Sequence, residues 1–132
     1  RAAAAARCGD LATAPGDPSL VLVTNVDMGS KKQGFMRACS KLIAESLGKP
    51  ESYVAVAVTD NADVIWGGED AACALGNLYS LGAISRENNE KVSAGVCELL
   101  SEFGIAGTKY YLNMWDIGDR ANCCYNGKTF AG

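Results

Sequence analysis

The sequence predicts an α/β (α+β) fold in which two β–α–β units form a four-stranded mixed sheet backed by two helices. Short apolar runs without helical spacing alternate with longer amphipathic segments, and the order strand–helix–strand occurs twice over similar lengths. A strand–helix–strand unit makes a parallel crossover, so its helix packs on the sheet. The uncovered face of such a sheet needs a partner, and we therefore expect a self-assembling protein.

The first unit lies in the N-terminal half. Residues 18–26 contain a run of leucine and valine that predicts a buried strand, and residues 53–59 contain a second such run. A helix is predicted between them over residues 30–48, with Ser30 as its N-cap and Gly48 as the glycine that ends it. The apolar stripe of this helix consists of Phe35, Cys39, Leu42, Ile43 and Leu47.

The second unit repeats the pattern. Its strands are predicted over residues 72–81 and 109–115, and its helix over residues 86–103 with Ser85 as the N-cap. Short additional strands are expected near residues 64–66 and at the C-terminus. The apolar stripe of the second helix consists of Val92, Val96, Leu99, Leu100 and Phe103.

Composition limits the classes of function. The 132 residues suit one domain, the formal net charge is -3, and no cluster of lysine and arginine favours nucleic acid as a partner. No apolar run is long enough to span a bilayer. Histidine is absent, which excludes Ser-His and Cys-His nucleophilic sites and leaves few metal ligands. We expect no metal and no cofactor.

The six cysteines contain no C-x-x-C pair, and a chain this rich in aliphatic residues does not need disulfides. We expect free thiols and a reducing, intracellular compartment. Cys39 and Cys97 are predicted to be buried on helix faces. The adjacent Cys123 and Cys124 cannot both face one side of a strand, so at least one is expected to be reachable by oxidants.

Residues 1–17 differ from the domain that follows over residues 18–132. They are rich in alanine, contain no acidic residue before Asp10, and end in a linker with a glycine and two nearby prolines. This composition is typical of a processed organellar transit peptide, plastid or mitochondrial, and lacks the apolar core of a secretory signal. We expect the extension to contact a protein partner or a groove on its own domain. A disordered terminus or a remnant of expression is the alternative.

A resemblance adds to this reading. The motifs that carry it are Pro18-x-(apolar)4-Thr24-Asn25-Val26, Gly48-Lys49-Pro50 before Tyr53-Val54-Ala55-Val56, Gly67-Gly68 after an aromatic residue, Cys73-Ala74-Leu75 before Ser80-Leu81-Gly82, Tyr111-Leu112-Asn113-Met114-Trp115-Asp116, and Asn126-Gly127-Lys128-Thr129-Phe130-Ala131. In this order and at these separations, the chain resembles the macrophage migration inhibitory factor and D-dopachrome tautomerase family. The resemblance spans residues 18–131.

The resemblance implies a homotrimer whose sheets surround a central channel, and a keto–enol tautomerase site between protomers. It implies that Pro18 is the catalytic base, through a free N-terminal amine, and that Lys49 binds the substrate carboxylate with help from the backbone amide of Leu81. Tyr111 and Asn113 would come from the neighbouring subunit. Ordinary roles stay open: Lys49 as a solvated residue at a helix end, and Tyr111 and Asn113 as interface packing and a strand-edge hydrogen bond.

Two residues depart from the family pattern. Asp17 precedes Pro18, so the proline nitrogen is an amide nitrogen without a basic lone pair. Gly76 stands where the protein that gives the family its name has the second cysteine of a C-x-x-C pair. A thioredoxin-like redox role is therefore not expected.

Three functions follow as hypotheses. The first is a tautomerase-fold domain whose catalytic proline is blocked, serving as a binding or structural subunit of a larger, organellar assembly through residues 1–17. The alternative is a tautomerase for a small enol or keto acid of the phenylpyruvate or dopachrome type, active after cleavage before Pro18. The third, a secreted cytokine-like ligand, is disfavoured by the missing signal-peptide core.

Overall fold

The computed structural model describes residues 16–132. The predicted contact of the extension falls on residues 1–15, outside the described part, and so does Cys8. The elements are β1 (Ser19–Thr24), α1 (Lys32–Leu47), β2 (Ala55–Thr59), β3 (Ala74–Ser80), α2 (Arg86–Ser101), β4 (Tyr110–Asp116), β5 (Cys124–Tyr125) and β6 (Lys128–Thr129).

The main sheet has four strands in the order β2-β1-β3-β4. Each β–α–β unit supplies one parallel pair, β1 with β2 and β3 with β4, and the units meet at the antiparallel pair of β1 and β3. The predicted mixed sheet with two helices is therefore confirmed. The short strands β5 and β6 form a separate hairpin.

The core lies between the sheet and the helices. Alternate residues of the strands, such as Leu20 and Leu78, are fully buried against Cys39 and Ile43 of α1 and Val96 of α2. The two stripes are largely as predicted, although Leu42, Leu99, Phe103 and Cys97 are half-buried rather than buried. Both helices have 16 residues. Within residues 16–132, no helix combines the length and apolarity needed to cross a membrane.

The helix ends were predicted with mixed success. Ser85 caps α2 as expected, because its Oγ accepts a hydrogen bond from the backbone N–H of Asn88 at 3.1 Å. Gly48 ends α1 in the left-handed conformation, with φ of +68°. Ser30 as an N-cap was wrong. It lies within a 3-10 turn, Gly29–Lys31, that leads directly into α1, and no side chain of residues 16–132 caps that helix.

The predicted short strand at residues 64–66 does not form. Trp66 makes only an isolated bridge with Glu69, through two backbone hydrogen bonds of 2.9 and 3.0 Å. The physical reason is the turn at Gly67 and Gly68, whose positive φ values reverse the chain immediately after Trp66. The residues on either side of this turn pair only through Trp66 and Glu69, so no strand forms at residues 64–66.

The second face of the main sheet bears no helix of the described chain. On each strand the residues that alternate with the core residues point to this face, and they are exposed or half-buried. Its large apolar members are Val21, Leu75, Tyr79, Tyr111 and Trp115. The ring of Tyr79 stacks on Trp115, and the indole N–H of Trp115 donates to the side-chain oxygen of Asn77 at 2.8 Å. We call these five residues the bare sheet face.

Candidate functional site

Lys49 is a buried lysine. It directly follows Gly48, and only 4% of its surface is exposed. Its Nζ donates a hydrogen bond of 2.6 Å to the backbone carbonyl of Leu81. Burial lowers the pKa of Lys49, and the nearby Asp17 carboxylate opposes part of that shift. The interpretation of Lys49 as a solvated helix-end residue is therefore wrong.

Leu81 lies at the end of β3 in a fixed position. The carbonyl of Ser80 accepts from the backbone N–H of Ile117 at 2.9 Å, and the N–H of Gly82 donates to the Asp116 carboxylate at 3.2 Å. These bonds tie the chain around Leu81 to the end of β4. The sequence pointed to the backbone amide of Leu81, whereas the contact that the structure shows is between its carbonyl and Lys49.

Pro18 is fully buried at the start of β1, and its carbonyl accepts from the backbone N–H of Ala55 at 3.0 Å. The pairing of Ser19 with Tyr79 brings Pro18 beside the end of β3, the same end that carries Leu81. The start of β1 and the Lys49–Leu81 contact are therefore neighbours. This much of the predicted site comes together within one chain.

Residues 16 and 17 pack against the C-terminal segment. The Asp17 carboxylate lies 3.8 Å from the Sγ of Cys123. Gly16 sits so close to Phe130 that a Cβ atom would lie 2.8 Å from the ring and 3.1 Å from the Cys123 sulfur. Only a residue without a side chain fits here. The last two residues of the extension are thus held next to the candidate site.

The C-terminal segment closes this side of the site. The backbone N–H of Phe130 donates to the carbonyl of Cys123 at 3.0 Å, which extends the β5–β6 hairpin, and to the carbonyl of Arg120 at 3.1 Å, which ties the hairpin to the preceding turn. Cys123 and Leu81 are buried together in a second, small apolar cluster with Ile117 and Phe130 packed against it. Burial, followed by the nearby Asp17, raises the pKa of the Cys123 thiol, which therefore stays protonated at neutral pH.

A cavity of about 690 Å³ opens beside residues 16 and 17. Its walls come from the extension, from the turn before β2 and from the C-terminal hairpin. They include Gly16, Asp17, Tyr53, Cys123, Tyr125 and Phe130. Asp17, which supplies the carbonyl of the Asp17–Pro18 peptide bond, therefore lies in the wall of this cavity, whereas Pro18 is fully buried.

Tyr111 and Asn113 do not join this group within one chain. Both are exposed on β4, at the edge of the sheet. Tyr111 pairs with Leu75, and Leu75 pairs with Val23, so Tyr111 is level with the end of β1 opposite to Pro18. The Tyr111 ring stacks on Trp66 with ring centroids 4.6 Å apart.

The cysteines in the described part are free thiols. Cys123 is buried and Cys124 is exposed, as the alternation along a strand predicted. Across residues 16–132, no cluster of three or more Cys, Asp or Glu side chains is arranged to hold a metal ion.

Sequence reasoning missed Cys123 and Phe130 as walls of the site. Both lie in a segment with strands of only two residues, which carries no periodic pattern to place it. Asp17 was noticed for its covalent bond to Pro18 but not for its side chain. The available signal was that the Asp17 side-chain carboxylate is separated by only two atoms, Cα and Cβ, from the backbone carbonyl carbon bonded to the Pro18 nitrogen.

Comparison with known proteins identifies the family. The family model for macrophage migration inhibitory factor (MIF) matches residues 17–131. The chain is 40% identical over 114 residues to a macrophage migration inhibitory factor homolog of Trichuris trichiura, covering 86% of this chain and 99% of that protein. It is 35% identical over 115 residues to the macrophage migration inhibitory factor of Mus musculus, with 86% and 99% covered.

The solved structures agree. The macrophage migration inhibitory factor from Trichinella spiralis matches with a TM-score of 0.77 at 30% identity, over 86% of this chain and 100% of that one. The residues matched by the family model, 17–131, include the buried Lys49 and the strand that follows Pro18. This chain belongs to the macrophage migration inhibitory factor family.

Proposed function

We propose that this chain is a tautomerase-fold domain whose catalytic proline is blocked by residues 1–17, so that the full chain is a binding or structural subunit of a larger assembly. One observation carries the proposal: Asp17 acylates the Pro18 nitrogen. An amide nitrogen delocalises its lone pair into the carbonyl and is not a base. The chain has no histidine that can act in its place.

The packing of residues 16 and 17 supports the same proposal. They occupy the side of Lys49 that faces the C-terminal hairpin, between Cys123 and Phe130. A substrate carboxylate directed at Lys49 would meet the Asp17 carboxylate, and like charges at one site repel each other. The extension thus opposes catalysis in two ways. It acylates the proline nitrogen, and its Asp17 carboxylate repels a substrate carboxylate at Lys49.

The composition of residues 1–17 supports an organellar location, plastid or mitochondrion, for that assembly. Subcellular fractionation tests the location, and a chain recovered solely from the cytosol would contradict it.

A second candidate function is a keto–enol tautomerase that is active after cleavage before Pro18. The buried Lys49 favours it, because a buried ammonium group is costly and a purely structural domain does not require one.

A freed Pro18 amine in these apolar surroundings, close to Lys49, would have a lowered pKa and be a free base near neutral pH. It would take a proton from the carbon beside a ketone and return it elsewhere. Lys49 and the backbone amide of Leu81 would hold the substrate carboxylate, and Tyr111 and Asn113 would come from a neighbouring subunit.

Intact-mass measurement of the native protein, combined with an enol–keto turnover assay, tests the proposed block. Chains whose mass shows that Asp17 is still attached are expected to give only background turnover. Strong turnover by a chain whose mass shows Asp17 still attached would contradict it.

The bare sheet face supports a homotrimer of the isolated domain, because five large apolar side chains on one face need covering. We expect a sedimenting mass about three times that of the 13.8 kDa chain.

Leu75→Lys should give monomers, because it puts an unpaired charge into the centre of this face. Ile65→Lys is the matched control: Ile65 is 68% exposed but lies in a loop outside the sheet, so the trimer should survive. A monomeric wild-type chain, or a trimeric Leu75→Lys variant, would argue against this assembly.

Lys49→Met, made in a chain that begins at Pro18, tests the assigned role of the buried lysine. Hydrogen bonds to charged groups contribute about 1.5–3 kcal/mol, so we expect KM to rise by about 10- to 100-fold with a smaller change in kcat. Lys41→Met, at an exposed position of α1, should leave both constants unchanged. Unfolding curves recorded in parallel separate lost binding from lost folding. An unchanged KM in a folded Lys49→Met chain would remove Lys49 from the binding site.

A further inference from the structure

We propose that the folded chain cleaves its own Asp17–Pro18 peptide bond and thereby releases the Pro18 amine. This proposal rests on the second candidate function, for which it supplies the activating step. It assigns to Asp17 a chemical role that is separate from tautomerisation. The extension would then be a temporary block that the domain itself removes.

The chemistry needs only the aspartate, the proline and water. An Asp17 carboxylate oxygen attacks the backbone carbonyl carbon of Asp17 and forms a C–O bond, which closes a cyclic anhydride. The C–N bond to Pro18 breaks, and the proline nitrogen takes up a proton and leaves as a secondary amine. Water then opens the anhydride, so that Asp17 becomes a C-terminal residue with two carboxyl groups. The net reaction is hydrolysis of one peptide bond, without oxidant or cofactor.

The fold holds the reacting residue on both sides. Pro18 is fixed at the start of β1 by the hydrogen bond from Ala55, and Gly16 is packed under Phe130. Between them Asp17 has a φ of +48°, a left-handed conformation that is uncommon for residues other than glycine. With the backbone anchored on both sides, mainly the side-chain torsions of Asp17 remain to bring its carboxylate to its own carbonyl carbon, which lowers the entropy cost of ring closure.

The surroundings of the carboxylate also favour the reaction. The Cys123 thiol, 3.8 Å away, restrains the side chain, and its raised pKa keeps it a neutral donor rather than a competing anion. The cavity lined by Gly16 and Asp17 admits the water that opens the anhydride. After scission Pro18 stays packed just before β1, whereas within the described part of the chain the extension is held by the packing of Gly16 and Asp17.

The sequence makes the reaction specific. The three prolines follow Ala14, Asp17 and Lys49, so one Asp–Pro bond is present in the chain. None of the other fourteen aspartates and glutamates directly precedes a proline, so none of them can couple this ring closure to release of the proline amine.

The test follows the intact mass of purified full-length protein at mildly acidic and neutral pH, with protease inhibitors present. We expect two products, residues 1–17 and residues 18–132, whose masses together exceed the starting mass by one water. The folded chain should react at least about tenfold faster than the same chain kept unfolded in urea at the same pH. Asp17→Glu, which needs a larger ring, and Asp17→Asn should each slow the reaction at least about tenfold. Asp63→Asn, at an exposed turn position, is the matched control and should not alter it.

Several results would overturn self-cleavage: an intact folded chain after prolonged incubation, an equal rate in urea, an unaffected Asp17→Asn variant, or cleavage that requires added lysate. A recombinant chain that begins at Pro18 keeps the two proposals apart. If that chain has no tautomerase activity, the candidate function fails whatever the mass data show. If it is active while the full-length chain stays intact, only self-cleavage fails.

Discussion

Removal of residues 1–17, so that the chain begins at Pro18, is expected to raise enol–keto turnover of phenylpyruvate by about a hundred- to ten-thousand-fold over the full-length chain. The deletion converts an amide nitrogen into a secondary amine at the buried start of β1, and a general base typically contributes a factor of this size. It also removes Asp17 from the neighbourhood of Lys49. Initial rates at matched protein concentration measure the gain, with intact mass confirming each terminus.

The control for this gain is Pro18→Gly in the shortened chain, which should lose most of the activity while the fold is kept. Circular dichroism and sedimentation check the fold. A shortened, folded chain without turnover would contradict the tautomerase candidate and leave the structural subunit as the function.

A mixture of two inactive variants is expected to recover activity if the site is shared between subunits. Both are made in the chain that begins at Pro18: one carries Pro18→Gly, and the other carries Tyr111→Ala with Asn113→Ala. After joint unfolding and refolding, random assortment in a closed ring restores about a quarter of the sites, because each intact site takes Pro18 from one protomer and the β4 residues from its neighbour. Each variant refolded alone should stay near background.

The register of the sheet is the reason for expecting this complementation. Tyr111 is level with the end of β1 opposite to Pro18 and lies on the bare sheet face, so one chain does not bring the two together. Recovery no greater than the average of the two variants would contradict a shared site. It would instead assign Tyr111 to its packing against Trp66.

The sheet was predictable because its strands carry the strongest local patterns. The apolar run of β1 and the helical stripes of α1 and α2 each fix one element without reference to the rest. Details that depend on turn geometry were not predictable in this way. Ser30 resembled an N-cap, yet a 3-10 turn continuous with α1 took its place, and the glycine pair after Trp66 prevented the strand expected there.

The candidate site was predictable only in part. The resemblance pointed to Lys49 and Leu81, and the structure joins them by a hydrogen bond. Whether the backbone amide or the carbonyl of Leu81 faces Lys49 depends on the hydrogen bonds between the end of β3 and β4. No local sequence pattern predicts those hydrogen bonds. The contact between Asp17 and Cys123 joins residues 106 positions apart, in segments without periodicity. Such contacts follow from the fold as a whole.

The burial of Lys49 links these observations. Its ammonium group is kept out of solvent by α1, by the end of β3 and by the segment that carries Cys123. A lysine in that position makes the site electropositive, and the Asp17 carboxylate of the extension is close enough to oppose part of the lowering of its pKa. Under the proposal, the same arrangement would block the site while residues 1–17 are attached and leave the pocket free once they are gone.

The most direct measurement of the block compares two chains that differ by one residue. One begins at Pro18, and the other begins at position 17 with Asp17→Ala, so that Pro18 is acylated but neither the extension nor an Asp–Pro bond is present. With both masses verified, turnover of phenylpyruvate should be about a hundredfold or more higher in the chain that begins at Pro18. Equal turnover by the two chains would contradict the claim that acylation of the Pro18 nitrogen is what silences this domain.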